Sequence, residues 1–348
     1  MRMFGKFGMI ALITAAVLIF TGCSKQASDV YIAGHEELDD GSIIAVYWKN
    51  GEKITLSDSP GAAWAFSIAV SGSDVYIAGL EADGFGRVQP IYWKNSEKIA
   101  IPDETSQMWT SAVAVLGNDV YLAGRELNVS DQGRFFTAVY WKNGVKNALS
   151  QGPLSSLANC VAVAGQDVYI AGNDSNGEPD GVKAVYWKNG ERVVLAGSSD
   201  NADVNAGVKD LTISGSDVYF VGNEHTKVVY WKNGELTEIT DGTSVSNANA
   251  IAVSGPDVYI VGQEVSDQGR TVAIYWKNGQ KTVLTKTENS GTATAVALDN
   301  GDLYIAGRDT GENANSAVYW KNGNIVVLDS RENATSATAT DIVVVPPK

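Results

Sequence analysis

Carboxylates and aromatic rings are the groups through which this chain could do chemistry. Its 348 residues include nine tryptophans but only two histidines and two cysteines. His35 and His225 stand in different segments, and no Cys/His spacing for a metal, phosphate-cradling glycine loop or nucleophile elbow is present. A carboxylate does recur two residues after a repeated glycine, at Glu36, Glu81, Glu126, Asp174, Glu224, Glu264 and Asp309. A ring of such acids would gather metal ions or a cationic partner. Copied unit by unit, the same position would equally serve a local hydrogen bond. Asp174, Asn176, Glu178 and Asp180 alternate oxygen ligands as calcium loops do, but a downstream bidentate Glu is missing and Pro179 interrupts the run. The sequence therefore gives no metal and no other cofactor, with calcium only weakly supported.

Trp64 and Trp109 are the two tryptophans outside a repeated phrase, and Phe66 lies beside the first. Both sit six residues before the last valine of a strand-like stretch (Val70, Val115), a position held elsewhere by Leu157, Gly207, Asn247 and Thr292. Aromatics there could stack a sugar or grip a partner side chain, or pack under a loop. For hydrolysis by paired carboxyls, Asp210 and Asp341 are the acids to test. Cys160 replaces the Ser67, Ala112, Ala250 or Ala295 of other copies, as a small buried residue would.

The elements that must carry these groups come from repetition. Tyr-Trp-Lys-Asn occurs seven times, with its tryptophans at Trp48, Trp93, Trp141, Trp187, Trp231, Trp276 and Trp320. DVYIAG and its variants begin at Asp29, Asp74, Asp119, Asp167, Asp217, Asp257 and Asp302, a period of 40–50 residues. Four strands fit that period. In one clean copy they are residues 248–253 (a), 257–262 (b), 272–277 (c) and 280–284 (d). Ser-Gly-Pro or Ser-Gly-Ser turns join a to b, and Asn-Gly joins c to d, since both residues accept positive φ. Strands b and c are apolar on both pleat faces, so both must be covered. The chain opens on a strand b with no strand a, and residues 339–344 (ATDIVV) form a strand a with nothing after it.

That orphan strand resembles the strand-exchange closure of β-propellers. The resemblance covers residues 29–345 and implies an all-β, seven-bladed β-propeller, four antiparallel strands per blade, the first blade closed by the C-terminal strand. It includes neither a Trp-Asp signature nor a kelch double glycine, and looks like the recently amplified propellers of bacterial lipoproteins. The tryptophans of the phrase are expected to wedge between blades, and the seven Asp residues opening strand b to pair with the seven Lys residues of the c–d turn.

Residues 1–22 read as a signal peptide: Arg2 and Lys6, an apolar run from Phe7 to Phe20, then Thr21-Gly22-Cys23. Cys after Gly22 resembles a lipobox, with Phe20 in place of the usual Leu. The resemblance implies lipid attachment at Cys23, and residues 23–28 would tether the single domain, residues 29–348, to the membrane. No later stretch approaches spanning length.

The a–b and c–d turns, short and nearly invariant, share one face of such a disc. The b–c and d–a loops vary and share the other, as a binding site on a rigid scaffold would. The formal net charge of −14 is concentrated on that variable face, which disfavours nucleic acid and favours cationic or basic partners. The leading expectation is a monomeric, noncatalytic binding lipoprotein of the bacterial cell envelope, at the outer membrane or cell surface, engaging protein or glycan through its acidic variable face. Two alternatives stand beside it: a carbohydrate-active or metal-dependent enzyme with its site at the central funnel, and a purely structural envelope protein.

Overall fold

The computed structural model describes residues 27–57, 61–82, 87–102, 107–131, 133–175, 181–195, 206–286, 288–311 and 315–347. The signal peptide and Cys23 lie outside these residues, as do Asn176, Glu178 and Asp180 of the calcium-like run.

Among the described residues, twenty-eight strands form seven four-stranded antiparallel blades. Blade 1 takes its strand a from the far end of the chain. Ala334–Val345 pairs antiparallel with Asp29–Leu38, from Asp29 opposite Val345 to Leu38 opposite Ala334, and Ile43–Lys49 and Glu52–Thr55 complete the blade. Blades 2 to 7 are continuous and begin with strands Ala62–Ser71, Met108–Leu116, Ser156–Ala164, Ala206–Ser214, Ser246–Ser254 and Ser290–Asp299. These six strands and Ala334–Val345 line the axis. The ring is a seven-bladed β-propeller, as the orphan strand implied.

Each word of the repeated phrase has a place in this ring. The seven tryptophans on strand c are at most 2% exposed. They pack in clusters shared between neighbouring blades: Trp48 with Ala295 and Ala306 of blade 7, Trp231 with Cys160 and Ala171 of blade 4. A blade buries both of its apolar faces only by stacking on the next, so these contacts hold the disc together. At the invariant face every opening Asp meets the Lys of its own blade's c–d turn at 2.8–3.3 Å, from Lys188–Asp167 to Lys49–Asp29. The turn asparagine donates to the same carboxylate, Asn278 Nδ2 to Asp257 Oδ1 at 2.8 Å for example. Its φ is near +50° in all seven copies, with glycine next in six; the seventh has Ser96 at φ +69°.

The inner strands carry the feature that shapes the axis. Each bulges by one residue, at Phe66, Ser111, Asn159, Lys209, Asn249, Thr294 and Thr340. The strand b glycine opposite must stay glycine. A Cβ on Gly79 would stand 2.1 Å from the Trp64 carbonyl oxygen and 2.5 Å from the Trp93 ring.

Candidate active site

The residue after each bulge lies on an inner strand and reaches into the seam with the next blade. These seven positions are Ser67, Ala112, Cys160, Asp210, Ala250, Ala295 and Asp341. Asp210 in blade 5 and Asp341 in blade 1 are three blades apart, the greatest separation a sevenfold ring permits, so they stand on opposite sides of the axis. Their anchoring is alike. The Ile251 N–H of the next blade donates to Asp210 Oδ2 at 3.0 Å, and Leu211 N–H to Oδ1 at 2.8 Å. Ile68 N–H donates to Asp341 Oδ2 at 2.8 Å, and Ile342 N–H to Oδ1 at 2.8 Å.

Enclosure raises both acids. The Asp210 carboxyl is pushed up to about 7, chiefly by burial, against the backbone hydrogen bonds, with a further push from the charge of Asp341. Burial also raises Asp341, opposed by its bonds to Ile68, Ser67 and Ile342. The charge of Asp341 is thus felt at Asp210. Cys160, on the same ring, is fully enclosed and its thiol is pushed well up by burial and by Asp210; it stays an unreactive thiol.

Above the ring, at the variable face, the structure brings Phe66 and Trp109 together. They line a cavity of about 240 Å³ between blades 2 and 3 with Leu80, Thr110, Ser111 and Arg125. Trp64 is half-buried and is not part of its wall. Arg125 is the residue that sequence reasoning missed. Its guanidinium lies 5.4 Å from the Trp109 ring centre and 5.3 Å from that of Phe136, and the two rings meet edge to face at 5.6 Å. The signal was a cation directly after the strand b glycine, shared only with Arg308, where the other copies place His35, Leu80, Asn173, Asn223 or Gln263.

The seven acids two residues after that glycine lie elsewhere, outward of the shaft. Five reach across strand c to a base on strand d: Glu36 to Lys53 at 3.0 Å, Glu81 to Lys98 at 2.7 Å, Glu126 to Lys146 at 2.9 Å, Asp174 to Arg192 at 2.6 Å and Glu264 to Lys281 at 2.7 Å. In the other two blades strand d has Leu236 or Ile325 opposite the tryptophan. There Asp309 accepts from Asn289 at 2.6 Å, and Glu224 is buried. Asp174 also takes the Ser156 hydroxyl. Among the described residues no cluster of three His, Cys, Asp or Glu could hold a metal ion.

Comparison with family models finds no match, and neither does comparison with curated proteins. Among solved structures, a puromycin-hydrolyzing peptidase from Mycobacterium tuberculosis matches at a TM-score of 0.58 and 11% identity, over 89% of this chain and 54% of that one. The uncomplexed acylaminoacyl peptidase of Pyrococcus horikoshii matches at 0.54 and 13%, over 88% and 51%. The chain thus spans about half the length of these peptidases. At such identities the likeness is one of fold, and the activities are theirs. The leading expectation of a noncatalytic binding protein is corrected on this point, since both of these solved chains are hydrolases, and the enzyme alternative takes its place as a proposal.

Proposed function

We propose that this protein is a carbohydrate-active hydrolase of the bacterial envelope, tethered by lipid at Cys23, with its reaction centre in the propeller's shaft. The observation that carries the reading is the pair of enclosed inner-strand carboxyls Asp210 and Asp341, in which the charge of Asp341 helps push Asp210 up to about 7. Burial raises both carboxyls and the charge of Asp341 raises Asp210 further, which makes Asp210 the acid of the pair and Asp341 its base. Asp210 gives its proton to the oxygen of a glycosidic bond as that bond to the anomeric carbon breaks. Asp341, ionised, takes a proton from the water whose oxygen attacks that carbon. Solvent then returns Asp210 to its acid and Asp341 to its base form. The short segment before Asp29 meets the disc at its invariant face, where the Ser28 hydroxyl donates to Asp299 Oδ2 at 2.5 Å, so a tether there leaves the funnel mouth open to substrate.

The test is a panel of chromogenic glycosides and envelope polysaccharides assayed with the full-length protein, Asp210→Asn and Asp341→Asn. Asparagine keeps a carbonyl oxygen for the Ile251 or Ile68 N–H, so both variants are expected to fold. Turnover should fall by about 10²–10⁴-fold in each. Turnover that survives both changes, or is absent across the panel, overturns the reading. Labelling with palmitate, lost in Cys23→Ser, tests the tether separately.

A further inference from the structure

Arg125 is a half-buried cation with nothing opposite it. Its Nε is shielded from solvent and has no hydrogen-bond partner, and no carboxylate pairs with it among the described residues. Burial alone lowers its affinity for its proton. Most basic groups of this acidic chain that leave bulk water find an acid, as Lys53 does at Glu36 and Arg192 at Asp174. An unpaired guanidinium clamped by two aromatic rings at the edge of a cavity is a standing cost, which an incoming anion would relieve.

The surroundings depart from the repeat in the same place. At four seams the bulged residue donates to the inner strand of the next blade: Asn159 to Val208 O at 2.7 Å, Asn249 to Ala293 O at 2.7 Å, Thr294 to Ala339 O at 2.8 Å and Thr340 to Ala65 O at 2.9 Å. Phe66 has no donor to make that bridge, and its ring forms a wall of the cavity instead. Charge departs too. The bulged positions and those following the strand b glycines include Arg125, Lys209 and Arg308 and not one carboxylate, in a chain of net charge −14. The mouth is locally basic although the loops around it are acidic. An anionic group therefore fits the mouth itself, whatever the acidic loops around it attract.

We propose that this cavity is a subsite for the carboxylate of an acidic sugar ring, a uronate residue of an envelope or host polysaccharide. Arg125 takes the carboxylate through two parallel N–H bonds, the apolar face of the ring lies on Trp109 and Phe66, and the Ser111 hydroxyl is at hand for a ring hydroxyl. A volume of about 240 Å³ limits the site to one ring. The assignment rests on the reading of the protein as carbohydrate-active and deepens it by naming the class of sugar.

Calorimetry on the full-length protein with trigalacturonate, neutral trigalactose and a tri-glutamate peptide tests the subsite apart from any turnover. Trigalacturonate is expected to bind best. Arg125→Met should weaken it by about 30-fold or more, bringing it to the level of trigalactose, whose own binding should not change. Trp109→Ala should weaken both sugars. Asp210→Asn should leave binding intact, so loss of turnover with binding retained separates this subsite from the reaction centre. The proposal is overturned by equal binding of trigalacturonate to wild type and Arg125→Met. It is overturned equally by tri-glutamate binding as tightly as trigalacturonate, which would make the site a reader of acidic peptide.

Discussion

The two ends of the propeller follow opposite rules. At the invariant face, seven copies of one Asp–Lys–Asn cluster repeat with distances that differ by half an ångström, and each closes on itself. At the funnel mouth the copies diverge: Phe66 and Leu80 stand beside Ser111 and Arg125, which stand beside Asn159 and Asn173. The first end is satisfied within the chain and exposed to water, so it contributes register and solubility more than stability. The second leaves the Arg125 cation without an acid or a hydrogen-bond partner for its Nε. Polar groups in that condition belong where a ligand completes them.

The sharpest break between scaffold and site comes from tryptophan. Trp231→Ala, in the wall between blades 4 and 5, should cost about 3–5 kcal/mol in urea unfolding. Trp109→Ala at the mouth should cost under about 1 kcal/mol while removing ligand binding. Equal losses would mean that mouth and wall are one structural system. A smaller effect divides the shaft from the turns. The folded chain holds a proton on Asp210 between its ordinary value of 3.8 and about 7, which the unfolded chain has released. Its stabilising contribution is therefore full below 3.8 and is lost as pH rises through 7. Urea titrations at pH 4 to 8 should show wild type losing on the order of 2 kcal/mol relative to Asp210→Asn across that window. Parallel curves would place the Asp210 carboxyl in ordinary water. The smallest effect belongs to the one irregular turn: Ser96→Gly relieves a left-handed serine and should raise stability by about 0.5–1 kcal/mol. No gain would mean the turn tolerates its serine without strain.

Most of the fold was legible because a period of 40–50 residues leaves few architectures, and because an unmatched strand at each end leaves one closure. The Asp–Lys pairs and the buried tryptophans follow from strand alternation and the Asn-Gly turn. The site was legible in pieces. Phe66 and Trp109 stood out by departing from the repeat, and Asp210 and Asp341 by being acids on inner strands. Nothing in the sequence marks the bulge that turns residues 66 and 67 to different surroundings, since it is set by the crowding of the Gly79 position against the Trp64 carbonyl and Trp93. Without the bulge, an Arg on strand b cannot be placed against a Trp on strand a and a Phe on strand c. Arg125 therefore read as an ordinary solvated charge.

The pairing of Asp29–Leu38 with Ala334–Val345 also sets how the molecule would bear a mechanical load. Tension entering at residue 28 and resisted at the opposite face runs along the strand axis. It would slide Asp29–Leu38 lengthwise between its two neighbours, so the ladder bonds on both sides share the load instead of opening one after another. Held by its leading end against flow or a captured polymer, the disc would behave as a rivet loaded in shear, its strongest direction.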